Sequence, residues 1–285
     1  MRACDFVDMA AKTQKELDRL LLGATVKGNG REVARLLAAG ANTEARDEDG
    51  DTSLYNACYF GYEACVRVML RAGANSEAVS TDQWTPLHIA CEKGHTACVR
   101  VLLDAGADKE AAEKDGWTPL YAACCYGHVA CVRALLGAGA NKEAVNKDGW
   151  TPLYIACQWG HEACVRVLFG AGANKEAAIK DGVTLLHIAC FKGDEACVRA
   201  LLGAGADVKA AAKDGSTPLS IARSKGYLSI VRLLEEAAAV QRLAPASPII
   251  SSGAFCTVSP GSPPNMAAPS LPAALPAPAT ALTPA

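Results

Sequence analysis

The chain has 285 residues, a formal net charge of -2 and 20% charged side chains. This length is ample for a sizeable hydrophobic core, and the near-neutral charge argues against a dedicated nucleic-acid-binding protein, which would carry a strong basic excess. No long stretch is continuously apolar, so no membrane span is expected. Asp5 and Asp8 interrupt any apolar signal segment at the start. We therefore expect an intracellular protein, cytoplasmic or nuclear.

Internal repetition is the strongest feature of the sequence. An Asp-Gly pair, or Asp-Gln in one copy, recurs every 33 residues, and cysteine and arginine recur with the same step. The pairs lie at 49–50, 82–83, 115–116, 148–149, 181–182 and 214–215. A fixed period of this length is typical of solenoid proteins, in which short units stack side by side.

The unit that begins at Asp115 shows which elements each copy should form. Asp-Gly favours a turn, and Thr118-Pro119 favours a helix start, because Thr caps free N–H groups and Pro fits the first helical position. This helix should end at Gly127, and a second amphipathic helix should end at Gly139. A unit of turn, helix, turn, helix is too short to bury its own apolar faces, so its core must come from stacking.

These units resemble the ankyrin repeat. The matching motifs are Thr85–Ala90, Thr118–Ala123, Thr151–Ala156 and Thr217–Ala222, with weaker copies at Thr52–Ala57 and Thr184–Ala189. The resemblance implies an all-α solenoid of stacked helix-turn-helix units with projecting β-turn or hairpin tips. It also implies protein binding rather than catalysis. Tyr replaces the motif His in three copies, which should weaken a turn-bracing hydrogen bond there but not the fold.

The repeats should form one domain over residues 14–240, after an N-terminal extension at 1–13. We place them near 14–48, 49–81, 82–114, 115–147, 148–180, 181–213 and 214–240. Residues 241–285 form a Pro/Ala/Ser-rich tail that holds ten of the fourteen prolines and should be disordered, because it cannot bury enough apolar surface. The stretch 242–248 has the spacing of a proline-rich ligand, a weak signal in such a tail.

Thirteen cysteines are present, and ten of them occupy two repeat positions that should face the stacked interior. We interpret these ten as reduced, buried and packed like small apolar residues. Metal binding or redox sensing is the alternative, but no pair has the close spacing of a structural zinc site. Neither a metal nor a cofactor is expected. The accessible thiols should be Cys4, Cys125 and Cys256.

Five histidines and five arginines also follow the repeat. The histidines lack a nucleophile–base arrangement beyond what the fold explains, so we expect turn bracing and no catalytic residue. The arginines, at 67, 100, 133, 166 and 199, should lie on the outward face of the second helices. Glu63, Glu162 and Glu195 precede three of them by four residues, which favours exposed ion pairs and a solvated face. Binding of phosphate or an acidic peptide is the alternative.

Eight aromatic residues lie at positions that the repeat does not fix, namely after the Asp-Gly turn or just before the glycine that ends the first helix. They are Tyr59, Phe60, Trp84, Trp117, Tyr126, Trp150, Trp159 and Phe191. By resemblance to ankyrin repeats, they line a concave groove of turn tips and inner helices where a protein partner binds. Alternatively, the tryptophans at 84, 117 and 150 stack on each other across adjacent turns and only add stability.

We therefore predict a monomeric scaffold or adaptor that binds a protein partner on the concave groove, with no enzymatic activity and no nucleic-acid partner. Two alternative functions remain open. The first is a non-catalytic targeting region of a larger enzyme or signalling assembly, and the second is a purely structural repeat protein. A large exposed aromatic strip argues against the purely structural alternative, because such patches are rarely idle.

Overall fold

The computed structural model describes residues 13–243, except 177–179. Within these ranges fourteen α-helices follow one another in pairs, and the β-structure is a single bridge between Arg46 and Thr52. The helices are α1 Gln14–Val26, α2 Gly30–Ala38, α3 Ser53–Phe60, α4 Glu63–Arg71, α5 Pro86–Glu92, α6 Thr96–Asp104, α7 Pro119–Cys125, α8 Val129–Gly137, α9 Pro152–Gln158, α10 Glu162–Gly170, α11 Leu185–Lys192, α12 Glu195–Gly203, α13 Pro218–Lys225 and α14 Leu228–Leu243. The predicted all-α class is confirmed.

Several sequence-based expectations concern residues outside these ranges. The chain divides into one unit over Met1–Ala244 and another over Pro245–Ala285, and every described residue belongs to the first unit. Residues 1–12, most of the Pro/Ala/Ser-rich tail and the proline-rich stretch after Leu243 lie outside the described residues, as do Cys4 and Cys256. The boundaries of the repeats remain predictions.

A threonine caps the first helix of the motif-bearing pairs. Thr118 has an extended backbone, with φ -92° and ψ 164°, and its hydroxyl accepts a hydrogen bond from the backbone N–H of Tyr121 at 3.3 Å. Pro119 then occupies the first turn, where no N–H is needed. The same caps occur at Thr52, Thr85, Thr151 and Thr217. The Thr-Pro signal therefore starts helices for the predicted reason.

The glycine after each first helix allows the next repeat to approach. Gly127 has a φ of 74°, and a Cβ on it would lie 2.6 Å from Nδ1 of His161 in the following repeat. The Nε2–H of His161 donates to the carbonyl of Cys125 at 3.0 Å. The equivalent bonds join His95 to Tyr59 and His128 to Glu92. These histidines brace neighbouring repeats, as the sequence predicts.

Stacking of the helix pairs forms the core. First helices pack on first helices along the chain, and second helices pack on second helices. Leu120, Leu135, Leu153 and Leu168 are at most 1% exposed between the two layers. A polar ladder runs beside this core, in which the Glu110 carboxylate accepts the backbone N–H of Asn141 at 2.8 Å. The same bond recurs in each interval from Glu44 to Asp207.

The last helix covers the end of the stack. Helix α14 has 16 residues, whereas the other second helices have nine. Near its end, the Gln241 side-chain amide donates to the carbonyl of Ala206 at 2.9 Å. Ala206 and Val208 are only 2% and 5% exposed. The longer helix thus shields the preceding loop, as a terminal unit of a solenoid requires.

The ten repeat cysteines form part of the core, and the prediction that they are buried is confirmed. All ten are 0% exposed, and all the described cysteines are free. A cysteine of one first helix lies near a cysteine of the next second helix, as Cys124 does with Cys164 and Cys157 with Cys197. Burial raises the pKa of the Cys124 thiol well above its usual value. These thiols therefore pack as small, protonated, apolar groups.

Leu135→Ala tests whether stacking holds the fold together. Because Leu135 is fully buried between repeats, the change should reduce the free energy of unfolding by about 2–5 kcal/mol. The neighbouring Leu136 is partly exposed, so Leu136→Ala is a matched control with a smaller expected loss. Urea denaturation followed by circular dichroism measures both. Equal losses would contradict the assigned core.

Alkylation of the folded chain tests the packing of the cysteines. Among the described cysteines, Cys125 should react with iodoacetamide first, since it is only partly buried while the other ten are inaccessible. Its pKa is raised to about 11, mainly by burial, so its reaction should accelerate as the pH rises from 7.5 to 9.5. Peptide mapping by mass spectrometry identifies the modified thiols. Early modification of Cys124 in the absence of urea would show that the core is open.

Candidate functional site

The first helices and the loops before them share one exposed side of the solenoid. We call each loop that carries an Asp-Gly turn a finger, and we call the fingers together with the exposed carboxyl ends of the first helices the inner face. Two successive residues at the end of each first helix lie half-buried or exposed on this face. They are residues 59–60, 92–93, 125–126, 158–159, 191–192 and 224–225. The repeat places six variable pairs in a row.

Five of the predicted site residues lie on this row. Phe60 and Trp159 are the most open, with 40% and 43% of their surface exposed, and Tyr59, Tyr126 and Phe191 are half-buried. The rings of Tyr59 and Phe60 meet edge to face, with centroids 5.0 Å apart. The N-terminal end of the row therefore holds a pair of packed rings, and Trp159 presents a large apolar surface farther along.

Lysine side chains lie over two of these rings. Lys93 Nζ is 4.7 Å from the ring centre of Tyr59, and Lys225 Nζ is 4.4 Å from that of Phe191. An ammonium group over an aromatic face is attracted by the negative potential of the ring. Lys93 also forms an ion pair with Glu92 at 3.0 Å. Charged groups are thus interleaved with the aromatic residues of the inner face, a feature that the aromatic pattern alone did not predict.

The three finger tryptophans are less open than their place in the sequence indicated. Trp150 is only 8% exposed, while Trp84 and Trp117 are half-buried. Each ring packs on the motif residue four positions later, and in the described residues no ring contact joins two tryptophans. The centroid distances are 5.7 Å for Trp84–His88, 4.8 Å for Trp117–Tyr121 and 5.1 Å for Trp150–Tyr154. The rings therefore brace their own repeats and do not stack on each other.

The motif histidine and the motif tyrosine make different bonds. His88 Nε2–H donates to the carbonyl of Trp117 at 2.9 Å, which ties one repeat to the next finger. Burial lowers the pKa of His88 to about 4, so its ring is neutral. The hydroxyls of Tyr121 and Tyr154 are buried with no hydrogen-bond partner among the described residues. The hydroxyls of these two tyrosines therefore do not replace the histidine bond, whereas the third motif tyrosine, Tyr55, hydrogen-bonds the side chain of Ser80.

The outward arginines lie on the second helices and are exposed, as predicted. Arg67, Arg166 and Arg199 pair with the glutamates four residues before them, at 2.7, 2.5 and 2.6 Å. Arg100 and Arg133 are also exposed, and neither forms an ion pair with a described residue. Exposed pairs of this kind contribute little free energy, which agrees with a solvated outer face.

The N-terminal finger carries an acidic residue where the next three fingers carry tryptophan. Asp51 occupies the position of Trp84 and is half-buried. One of its carboxylate oxygens is buried with no hydrogen-bond partner among the described residues. Burial, followed by the negative charges of Asp47 and Asp49, raises the pKa of Asp51 to about 6. This end of the inner face is therefore acidic and carries an uncompensated charge at neutral pH.

In the described part of the chain, no helix is long and apolar enough to span a bilayer. The same residues include no cluster of three His, Cys, Asp or Glu side chains suited to a metal ion. The inner face offers aromatic surface and charge, which are the chemistry of a binding surface.

Asp51→Asn tests the charge at the N-terminal finger. Because the folded chain binds the Asp51 proton more tightly than the unfolded chain, the stability contributed by this group falls as the pH rises from about 4 to about 6. The variant should therefore be more stable than the parent at pH 7.5 and lose that advantage at pH 4. Urea denaturation across this range measures it. Asp104→Asn, on an exposed second-helix site, is the control, and matching profiles for the two variants would contradict the assignment.

Known proteins share both the sequence pattern and the fold. The family model described as "Ankyrin repeats (3 copies)" matches residues 21–113, 109–179 and 170–242. Among the solved structures, the ankyrin repeat domain of Bcl-3, described as a unique member of the IkappaB protein family, is 33% identical with a TM-score of 0.67. That match covers 75% of this chain and 97% of the other. No curated protein matches the chain. Because the family model runs through nearly all the described helices, the chain belongs to the ankyrin repeat family.

Proposed function

We propose that this chain is a non-catalytic scaffold or adaptor that binds a partner protein on its inner face. Ankyrin repeats are generally protein–protein interaction modules. The observation that carries the proposal is the exposure of Phe60 and Trp159, at 40% and 43%, in a row of variable residues on an otherwise regular scaffold. Large exposed aromatic side chains are typical of binding sites, where they become energetic hot spots.

The rigidity of the scaffold supports this function. The inner-face residues stand at the ends of helices whose first turns are capped, and a histidine of the following repeat bonds the last turn of α3, α5 and α7. The carbonyl of Tyr59 accepts from His95, and that of Cys125 accepts from His161. A surface that is already ordered loses little conformational entropy on binding, so more of the contact energy appears as affinity.

Some of the eight predicted site residues would contact the partner, and others would hold the fingers in position. Tyr59, Phe60, Tyr126, Trp159 and Phe191 stand at the helix ends and would touch the partner. The half-buried Trp84 and Trp117 would add the edges of their rings from the fingers. Trp150, at 8% exposed, would mainly hold its finger in position. In this proposal the chain acts as an intracellular monomer.

The two alternative functions differ in whether they use this surface. A purely structural repeat protein would gain nothing from exposed rings at Phe60 and Trp159, which are unfavourable in water unless a partner covers them. A non-catalytic targeting region of a larger enzyme or signalling assembly would use the same surface in the same way. The binding experiment below therefore applies to both the scaffold and the targeting region.

The test is partner capture by proximity labelling with the intact chain and with Phe60→Ala/Trp159→Ala. The aromatic variant should lose a defined set of partners, and calorimetry with a captured partner should show binding weakened by at least about 2 kcal/mol, roughly 30-fold. Arg100→Ala/Arg133→Ala, on the outer face, is the control and should retain the set. Thermal unfolding verifies that both variants fold. Loss of partners with the arginine variant alone would move the site to the outer face.

A further inference from the structure

Charge is distributed unevenly along the inner face. Lys93 is neutralised by Glu92, which precedes it. In the last two repeats the lysine recurs, but Phe191 and Ser224 stand where the glutamate would be. Lys192 and Lys225 are exposed, and neither forms an ion pair with a described residue. At the C-terminal end of the row, the two ammonium groups therefore stand without the neighbouring carboxylate that pairs with Lys93.

Helix stability alone does not account for these two lysines. A cation at the carboxyl end of a helix is favourable because it faces the negative end of the helix dipole. Yet the same position holds Phe60, Tyr126 and Trp159 in other repeats, where the helix ends at this position or one residue before it. The fold therefore accepts either an aromatic ring or a cation at this position. Binding of a partner, and not helix stability, can determine which of the two is present.

The two lysines adjoin the most open aromatic residue of this half. Trp159 directly follows the last residue of α9, Lys192 ends α11 and Lys225 ends α13, so the three stand on consecutive repeats. Lys225 Nζ also lies over the ring of Phe191, which holds it on this face. Arg223 on the same helix is already bonded to Glu235 at 2.6 Å. The free charge thus comes from the two lysines, beside an exposed indole.

The opposite end of the solenoid repels anions. Residues 49–114 carry ten acidic and six basic side chains, whereas residues 115–242 carry twelve acidic and fourteen basic ones. Glu48, Asp49 and Asp82 are exposed near the N-terminal finger. Since charges in physiological salt are screened over about 8 Å, a bound segment would sense each end separately. An anionic segment would therefore favour the C-terminal half.

We propose that the inner face from Trp159 to Lys225 binds a partner segment that combines carboxylates with an apolar side chain. The carboxylates lie against Lys192 and Lys225, and the apolar side chain packs on Trp159. Trp159 and Lys225 are separated by two repeat intervals of about 10 Å each, which corresponds to roughly six residues of extended chain. This inference rests on the proposed function and adds the chemistry of the partner.

A designed peptide tests this chemistry on the full chain. The probe is a fluorescein-labelled ten-residue peptide in which four Asp or Glu residues flank Leu and Trp, and its matched control carries Asn and Gln instead. Fluorescence anisotropy should show the acidic peptide binding at least about tenfold more tightly than the amide peptide, with a difference that shrinks at high salt. Equal binding of the two peptides, or no binding of the acidic one at 1 mM, as an order-of-magnitude ceiling for a weak site, would overturn the proposal.

Lysine variants locate the contact. Lys192→Gln/Lys225→Gln should weaken the acidic peptide about tenfold and leave the amide peptide unchanged, because these surface changes remove only charge. Arg100→Gln/Arg133→Gln removes the same charge from the outer face and should alter the affinity less than about twofold. Loss with the arginine variant alone would overturn the assigned location, as would equally tight binding of a twelve-nucleotide single-stranded DNA.

Failure of this inference is distinguishable from failure of the proposed function. If both peptides bind equally and Trp159→Ala removes both, the inner face binds protein without regard to charge, and only the acidic preference is wrong. If the captured partners persist in Phe60→Ala/Trp159→Ala, the proposed function itself is wrong.

Discussion

Burial between neighbouring repeats is the constraint on which the rest of this structure depends. A pair of helices of seven to nine residues has apolar faces that it cannot cover by itself, and each pair covers those of its neighbours. Small residues let the helices approach, which explains why buried cysteines recur at two positions of the repeat. The ends of the stack need a different solution, and the long helix α14 supplies one by covering the loop around Ala206.

Polar bonds make this stack regular without providing its main driving force. The histidine bonds and the glutamate ladder all join groups in adjacent repeats, with the same partners at each step. Each is worth only about 1 kcal/mol, but each joins two neighbouring repeats at a fixed spacing and would be lost if that spacing changed. Where Tyr121 and Tyr154 replace histidine, the bond to the next finger is absent, and the tryptophan of the same repeat packs on the tyrosine ring. The register between repeats therefore depends on the remaining histidine bonds, the glutamate ladder and the core.

The regular stacking of the repeats suits the inner face to recognition of a partner. The core fixes the helices, so the variable pairs at their ends differ only in side-chain chemistry. Aromatic residues occupy five of the twelve positions in the row, and lysines without an ion pair to a described residue appear near its C-terminal end, while carboxylates gather at the opposite finger. Shape is therefore shared along the solenoid, and selectivity would come from the order of rings and charges. The outer face, with its local Glu–Arg pairs, lacks such a gradient of exposed rings.

The sequence by itself determined the repeat, the helices, the threonine caps, the buried cysteines and the outward Glu–Arg pairs. These features depend on local spacing and on a period, both of which can be read directly from the residues. Only the tertiary structure decided how open each aromatic residue is. Trp150 and Trp159 both lie at variable positions, yet one is buried against Tyr154 and the other is 43% exposed. The tertiary structure also decided which charges are neutralised, because exposure and ion pairing depend on neighbours brought together from different repeats.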